Sequence, residues 1–156
     1  MATRGAAAPA TAETARGIRD PGFVAFWVLR LGFTVAPILF GLDKFFHFMV
    51  DWDIYLWEPV AEFLPGTADQ IMMAVGVIEI VAGLVVLVAP LIGGLLVAAW
   101  LATIITTLVL VGITGESAGV TGPVAYWDIA LRDFGLLLGA LSLAILSRKW
   151  GAFGRK

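Results

Sequence analysis

Tyr126-Trp-Asp-Ile-Ala-Leu-Arg-Asp-Phe-Gly-Leu-Leu-Leu-Gly139 places charged residues at the start of a long apolar segment. Asp128 and Arg132 are four residues apart, so on a helix the two side chains lie on one face and can form an ion pair. Gly135 and Gly139 continue that side of the helix as a surface that another helix can approach closely. Because charges in an apolar segment need polar partners, the stretch predicts a helix that packs against polar positions elsewhere in the chain.

The composition is that of a membrane protein. Of the 156 residues, 60% are hydrophobic, and the mean hydropathy is +0.96, far above the values of a soluble domain. The net charge is only -2, and basic residues do not cluster with aromatic ones, which argues against nucleic-acid binding. The lack of cysteine excludes a disulfide, a thiolate metal site and an iron–sulfur cluster within the chain. His47, the single histidine, has no companion ligands, so we expect it to hydrogen-bond at the water interface rather than to bind a metal.

Four apolar segments have the length of about 20 residues that a bilayer requires. The predicted spans are residues 22–42, 70–89, 91–113 and 126–146. The short stretch at residues 90–94 predicts a tight turn, so the second and third spans form a hairpin. The glycine-rich stretch at residues 114–123 is predicted to be a simple connector. The sequence therefore predicts an all-α fold, a polytopic membrane four-helix bundle.

The segment at residues 43–69, between the first two spans, combines acidic and aromatic residues. Five of its apolar positions recur at roughly helical spacing: Trp52, Tyr55, Leu56, Val60 and Phe63. This pattern predicts a short helix lying in the membrane interface, with Asp51 or Asp53 as its cap. Two interpretations remain open, namely an aromatic belt with no ligand and a lid over a substrate site.

One stripe of the first span is predicted to face other helices. Steps of three and four residues place five positions on it: Arg30, Thr34, Pro37, Gly41 and Lys44. Arg30 lies only about 12 Å inside the span. Its side chain therefore either extends to the basic end of the span or pairs with Glu79 in the bundle.

Glu79 lies about 15 Å inside the second span, close to the bilayer centre. Gly76 and Gly83 share its face, so another backbone can approach there. A carboxyl group at this depth is a candidate functional group, and the alternative is a structural role as a protonated or paired side chain. We expect Lys44, Glu79, Arg132 and Asp133 to face the bundle interior. The candidate intramembrane polar cluster has seven members: Arg30, Asp43, Lys44, Glu79, Asp128, Arg132 and Asp133.

Arginine and lysine concentrate near both ends of the sequence, whereas the segments at residues 43–69 and 114–127 contain one lysine between them. By the positive-inside rule, both termini are expected in the cytoplasm of a cell-membrane protein. The expected organisation is a disordered tail, a transmembrane domain and a basic tail, at residues 1–20, 21–147 and 148–156.

Gly41-Leu-Asp-Lys-Phe45 in the first span, with Gly76-Val-Ile-Glu79 and then Gly83 in the second, resembles the DoxX-like family of small four-helix membrane proteins. Leu131-Arg-Asp-Phe-Gly135 in the fourth span is similar to a feature of bacterial members. The resemblance implies a bacterial inner-membrane protein found with oxidoreductases, including thiosulfate:quinone oxidoreductase and a thiol-linked detoxification complex. It implies no catalytic residue set.

Three functions remain open at this point. The first is an accessory or anchoring subunit, without catalysis of its own, that binds an oxidoreductase partner and shapes a quinone pocket between the helices. The second is a proton-coupled or small-solute carrier with Glu79 as the titrating group and Arg30 or Arg132 as the counter-ion. The third is a structural scaffold in which the charges pair and the glycines pack. The lipid bilayer is a partner in every case, and a homo-oligomer is compatible with all three.

Overall fold

The computed structural model describes residues 20–118, 120 and 125–151 of the chain. In these residues four long helices are apolar enough to cross a membrane. They are α1 (Pro21–Phe46), α3 (Ala68–Val88), α4 (Pro90–Thr114) and α5 (Trp127–Trp150), and a short helix α2 (Glu58–Phe63) lies between α1 and α3. The predicted all-α four-helix architecture is confirmed.

Both ends of α1 follow from local signals. Asp20 Oδ1 accepts a hydrogen bond from the Gly22 N–H at 2.8 Å, and Pro21 opens the helix where its missing N–H is not needed. At the other end His47 is in the left-handed conformation with φ 50°, and its N–H donates to the Asp43 carbonyl at 2.7 Å. The helix therefore runs beyond its predicted end at residue 42. At the far end of the chain, α5 continues past residue 147 to Trp150, and the predicted tail at residues 1–19 lies outside the described residues.

Neighbouring long helices run antiparallel. On each packed pair, residue numbers rise on one helix as they fall on the other. Two contacts show this for each pair: Gly41 with Gly76 and Thr34 with Gly83 for α1 and α3, Gly22 with Trp150 and Phe33 with Gly139 for α1 and α5, and Gly94 with Ala140 and Gly112 with Trp127 for α4 and α5. In this up-down-up-down bundle α1 packs between α3 and α5, and α4 closes the opposite side. The turn between α3 and α4 lies at one end, which we call the hairpin end. The opposite end, which carries the longer connections, is the loop end.

The apolar core fills the half of the bundle nearer the hairpin end. Its buried side chains come from all four long helices: Phe26, Phe33, Ala82, Val86, Val97, Ala98, Leu101, Ala140 and Leu143. Small residues are frequent among them because helices in lipid associate through close packing rather than through the hydrophobic effect. Large apolar side chains such as Val28, Leu31 and Ile145 are exposed on the outside of the bundle, where a membrane protein meets lipid.

The predicted interfacial helix is in fact two short helices. A 3-10 helix covers Trp52–Tyr55, the chain is extended at Leu56, and α2 follows with Pro59 in its first turn. The predicted capping by Asp51 or Asp53 is wrong, because Asp51 precedes the 3-10 helix without a capping hydrogen bond and Asp53 lies inside it.

The stretch after α4 is more than the simple connector that we predicted. Ala118 N donates to the Leu56 carbonyl at 2.9 Å, and the Ser117 hydroxyl donates to the Ile54 carbonyl. Trp57 Nε1 adds a hydrogen bond of 3.2 Å to Thr114 Oγ1. Residues 47–67 and 115–118 therefore form one structure across the loop end, which we call the platform. Backbone groups that both segments would otherwise leave unpaired are satisfied in this way.

Asp53 is a carboxylate of the platform whose surroundings disfavour its charged form. Its Oδ1 atom is buried and has no hydrogen-bond partner among the described residues. Desolvation raises the pKa of the Asp53 carboxyl above its usual range, and the negative charges of Asp51 and Asp69 raise it further.

Replacing Asp53 by asparagine is expected to stabilise the protein slightly at neutral pH. A raised pKa means that the folded protein holds the proton of Asp53 more tightly than the unfolded chain does. Ionised Asp53 therefore lowers the free energy of unfolding at pH values above the raised pKa. This loss of stability disappears at pH values below the pKa of Asp53 in the unfolded chain. The gain should be under about 1 kcal/mol, because solvent screens a half-buried group. Thermal unfolding in mild detergent from acid to neutral pH measures it, with the exposed Glu62→Gln as control. A D53N effect that is equal at all pH values would contradict this account.

Candidate functional site

A buried ion pair joins α1 to α3. Lys44 Nζ lies 2.7 Å from Glu79 Oε2, and the two side chains are only 2% and 10% exposed. Each Cα–Cβ bond in a helix tilts toward the N-terminus of that helix. Since α1 and α3 are antiparallel, Lys44 leans from the loop end toward the bundle centre, and Glu79 leans from the centre toward the loop end. The two charges therefore meet although their backbones start at different depths.

Glycines bring the two backbones close enough for this pair. A Cβ atom on Gly76 would lie 2.6 Å from the Gly41 carbonyl oxygen, and one on Gly83 would lie 2.7 Å from the Thr34 carbonyl oxygen. The predicted close-approach face of α3 is therefore confirmed. Thr34, Gly41 and Lys44, all from the predicted inward stripe of α1, are buried.

Asp43 fastens the platform to the bundle. Its Oδ1 accepts hydrogen bonds of 3.0 Å from the backbone N–H groups of Phe48 and Met49, and its Oδ2 accepts one of 2.8 Å from Trp52 Nε1. The Trp52 ring lies over Lys44, with Nζ 3.7 Å from the ring centroid, in a cation–π contact. Trp52 thus covers the ammonium group of the ion pair and also binds Asp43.

Helices α5 and α4 complete the site. Asp133 is 4% exposed, lies within electrostatic range of Glu79 and accepts a hydrogen bond of 2.9 Å from Arg132 Nε. On α4, the Trp100 indole N–H lies near the Glu79 carboxylate but has no hydrogen-bond partner among the described residues. We call the resulting group the central cluster; its members are Asp43, Lys44, Trp52, Glu79, Trp100 and Asp133.

The predicted ion pair between Asp128 and Arg132 is wrong, because Arg132 bonds to Asp133 instead. The expectation that Arg132 faces the interior is also wrong, since 61% of its side chain is exposed. Consecutive residues are about 100° apart around a helix. Because Asp133 points inward, Arg132 lies on the side of α5, and its side chain bends around the helix to bond to Asp133. Asp128 is exposed. The predicted close-approach surface holds only in part, since Gly135 has no atom within 4 Å whereas Gly139 packs against the Phe33 ring.

Of the two interpretations left open for Arg30, the pairing with Glu79 is wrong. The Arg30 guanidinium donates to the Leu87 carbonyl, and it lies 4.8 Å from the centroid of the Trp27 ring. Leu87 lies in the last turn of α3, whose carbonyls have no partner within the helix. The alternative interpretation, in which the arginine extends toward the basic end of the bundle, is the one that the geometry matches. Arg30 caps α3, and its positive charge complements the negative end of the helix dipole.

Replacing Arg30 by methionine is expected to lower the unfolding free energy by about 2 kcal/mol, because the Leu87 carbonyl loses a charged donor. Arg30→Lys should recover only part of the loss, since an ammonium lacks the planar fork that contacts both the carbonyl and Trp27. Thermal unfolding in mild detergent measures the effect, with the exposed Arg148→Met as a matched control. Equal losses in R30M and R148M would contradict the capping role.

His47 makes the polar contact that the sequence predicts at the interface, with Nε2 3.2 Å from Asp69 Oδ1.

The hydroxyl groups of Thr103 and Thr107 on α4 are satisfied within the helix itself, since they donate to carbonyls of α4 at 3.2 and 3.1 Å. Trp52 and Trp100 are the site residues whose role the sequence does not reveal. The indole ring over Lys44 and the indole N–H beside Glu79 depend on elements that are distant in sequence.

A buried carboxylate that faces an ammonium group and an indole N–H can take up a proton or hydrogen-bond a small polar ligand.

Comparison of the chain with protein-family models, with curated proteins and with solved structures gives no significant match. The chain is a multi-pass integral membrane protein. Its more specific function is therefore argued below from the site and the platform.

Proposed function

We propose that the chain is a DoxX-like accessory subunit that anchors an oxidoreductase partner at the cell membrane and has no catalytic activity of its own. The observation that carries the proposal is the platform, which is fixed to the bundle by Asp43 and presents large apolar side chains. Phe48 is 91% exposed, Phe63 is 86% exposed and Met49 is 50% exposed. Aromatic side chains on a fixed backbone suit the binding of another apolar surface, because little conformational entropy is lost on contact.

The resemblance to the DoxX-like family supports the same proposal. The residues of the first two spans that carry it lie at the interface of α1 and α3, where Gly41 and Gly76 touch and Lys44 meets Glu79. The stretch Leu131–Gly135 lies on α5. In the proposed orientation the platform faces the outside and both termini face the cytoplasm. The basic side chains of Arg148 and Lys149, in the last turn of α5 at the hairpin end, agree with that orientation.

A quinone is the cofactor that the family resemblance suggests. The structure shows an open groove on the outer face of α1, lined by the apolar side chains Phe23, Val24, Trp27, Val28 and Leu31. Such a lining suits an isoprenoid tail but is almost wholly apolar, so it does not fit the polar carbonyls of a quinone head group. We therefore derive no redox step at this groove.

The test is purification in mild detergent, with mass spectrometry of the proteins that co-purify and an assay of the extract for quinone. A stoichiometric oxidoreductase is expected. Phe48→Ala combined with Phe63→Ala should release it, while the thermal unfolding of the bundle stays unchanged. Leu131→Ala combined with Ile145→Ala, at exposed apolar positions on α5, is the matched control and should retain the partner. Recovery of the chain alone, or a partner retained without both phenylalanines, would overturn the proposal.

A further inference from the structure

The charges of the central cluster do not balance. Lys44 lies against Glu79 at 2.7 Å and also within electrostatic range of Asp43. Two carboxylates and one ammonium group leave a net charge of -1 in a place where all three residues are less than 9% exposed. Asp133 approaches Glu79 from α5 but carries its own cation, Arg132. An unbalanced charge in a desolvated site is costly, and one proton is enough to neutralise it.

The arrangement suits both states of the Glu79 carboxyl group. When Glu79 is ionised, Lys44 is its counter-ion. When Glu79 takes up a proton, Asp43 remains as the counter-ion of Lys44, so the ammonium group is never left alone. The unpartnered N–H of Trp100 can donate to an oxygen of the carboxylate and equally to the carbonyl oxygen of the neutral acid.

Access to the cluster differs between the two ends of the bundle. Toward the loop end, the half-buried ring of Trp52 covers Lys44, beside a small apolar cluster of Leu56, Ile71 and Met72. Polar groups continue outward on this side, because Asp43 bonds to Trp52 and to the backbone of the exposed residues Phe48 and Met49. Toward the hairpin end, the positions that follow Glu79 on α3 are Ala82 and Val86, and they belong to the apolar core together with Phe33 of α1. Among the described residues at that depth, Thr34 is the buried polar side chain, and its hydroxyl has no hydrogen-bond partner. A proton can therefore reach the carboxyl group past Trp52, whereas the apolar core blocks its way onward.

We propose that Glu79, paired with Lys44, is an exchangeable proton site that opens only toward the loop end of the bundle. The ligand is one proton, which adds to a Glu79 carboxylate oxygen and leaves by the same route. This inference goes beyond the accessory-subunit role and does not depend on it. It also differs from the carrier hypothesis, because a site sealed on one side binds a proton without conducting it.

Proton binding is tested by pH-difference infrared spectroscopy of the purified full-length chain. We expect one component of the pH-dependent protonated-carboxyl signal, distinct from that of Asp53 and the exposed carboxyl groups, to be present in the wild type and in Asp128→Asn but absent from Glu79→Gln. Glu79→Gln should fold, because Asp43 remains as the counter-ion of Lys44, and Lys44→Met combined with Glu79→Gln is a second background in which the signal of Glu79 should also be absent. A pH-difference spectrum that is the same in the wild type and in the E79Q variants would overturn the proposal.

One-sided access is tested in vesicles that contain the reconstituted chain and a trapped pH-sensitive dye, with an imposed membrane potential. No sustained proton flux above that of protein-free vesicles is expected from the wild type. Leu101→Ala combined with Leu143→Ala, which opens the apolar core, should raise the flux, and adding Glu79→Gln to that pair should abolish the rise. A sustained flux through the wild type that Glu79→Gln removes would contradict one-sided access and favour a carrier.

Discussion

Replacing Lys44 by methionine alone is expected to destabilise the protein by about 3–5 kcal/mol, the typical effect of removing one partner of a buried ion pair. Glu79 would remain in a site where only 10% of its side chain is exposed, with Asp133 within electrostatic range and no ammonium group to pair with it. The loss should become smaller at acid pH, because a carboxyl group that takes up a proton no longer needs a cation. Thermal unfolding in mild detergent at several pH values measures both effects.

The decisive comparison is the double replacement of Lys44 and Glu79 by methionine. Removing both charges leaves Asp43 as the remaining carboxylate, which is held by hydrogen bonds from Phe48, Met49 and Trp52. The double variant should therefore be clearly more stable than K44M, in which Glu79 keeps its charge without a cation. Lys149→Met is the matched control for the loss of a lysine, since Lys149 is 68% exposed and its contact with Asp20 is 3.6 Å long. Should K44M and K149M lose the same stability, the buried pair would have no structural importance.

The architecture of the bundle could be predicted from the sequence because its causes are local. Apolar segments of membrane-spanning length reveal the four long helices, and Gly76 and Gly83 mark the face of α3 that touches α1. Helix ends were predicted less well. α1 continues to Phe46, through Asp43 and Lys44, because these charged residues are buried in the bundle rather than placed outside it.

The pairing of the charges could not be predicted, because it depends on the direction of each side chain and on neighbours that are distant in sequence. Depth counted along the helix suggested Arg30 for Glu79, but the opposite tilts of side chains on antiparallel helices bring Lys44 there instead. Helical spacing suggested Asp128 for Arg132, but the adjacent Asp133 points inward and takes the hydrogen bond. Helical spacing shows which residues share one face of a helix. The partner of a charged residue depends on which helix faces pack against each other, and the spacing does not show that.

The platform shows a second limit of sequence reasoning. Trp52 and the stretch at residues 115–118 read as an aromatic belt and as a connector, since nothing in their local pattern shows that they are joined. Their contacts are with the Asp43 carboxylate and with backbone carbonyls at residues 54 and 56. Each contact joins two segments that are far apart in the sequence or whose relative position the local sequence pattern does not define.

Replacing Gly76 by alanine is expected to destabilise the bundle by about 2 kcal/mol. The new Cβ atom would lie 2.6 Å from the Gly41 carbonyl oxygen and 3.2 Å from the Lys44 Cβ atom. The nearest of these atoms belongs to a helix backbone, which cannot rotate away as a flexible side chain would, so α1 and α3 must separate. That separation also stretches the contact between Lys44 and Glu79, whose length depends on the same interface. Thermal unfolding in mild detergent measures the loss.

Gly135→Ala is the matched control, because Gly135 is in a helix of similar length and has no atom within 4 Å of the added position. Alanine is favoured over glycine inside a helix by about 1 kcal/mol, so G135A should be as stable as the wild type or more stable. The two glycine replacements thus have opposite expected signs, although their intrinsic effect on the helix is the same. If G76A were as stable as G135A, the close approach of α1 and α3 would not contribute to stability. If G76A destabilises the K44M/E79M background less than it destabilises the wild type, the clash and the ion pair act through one interface.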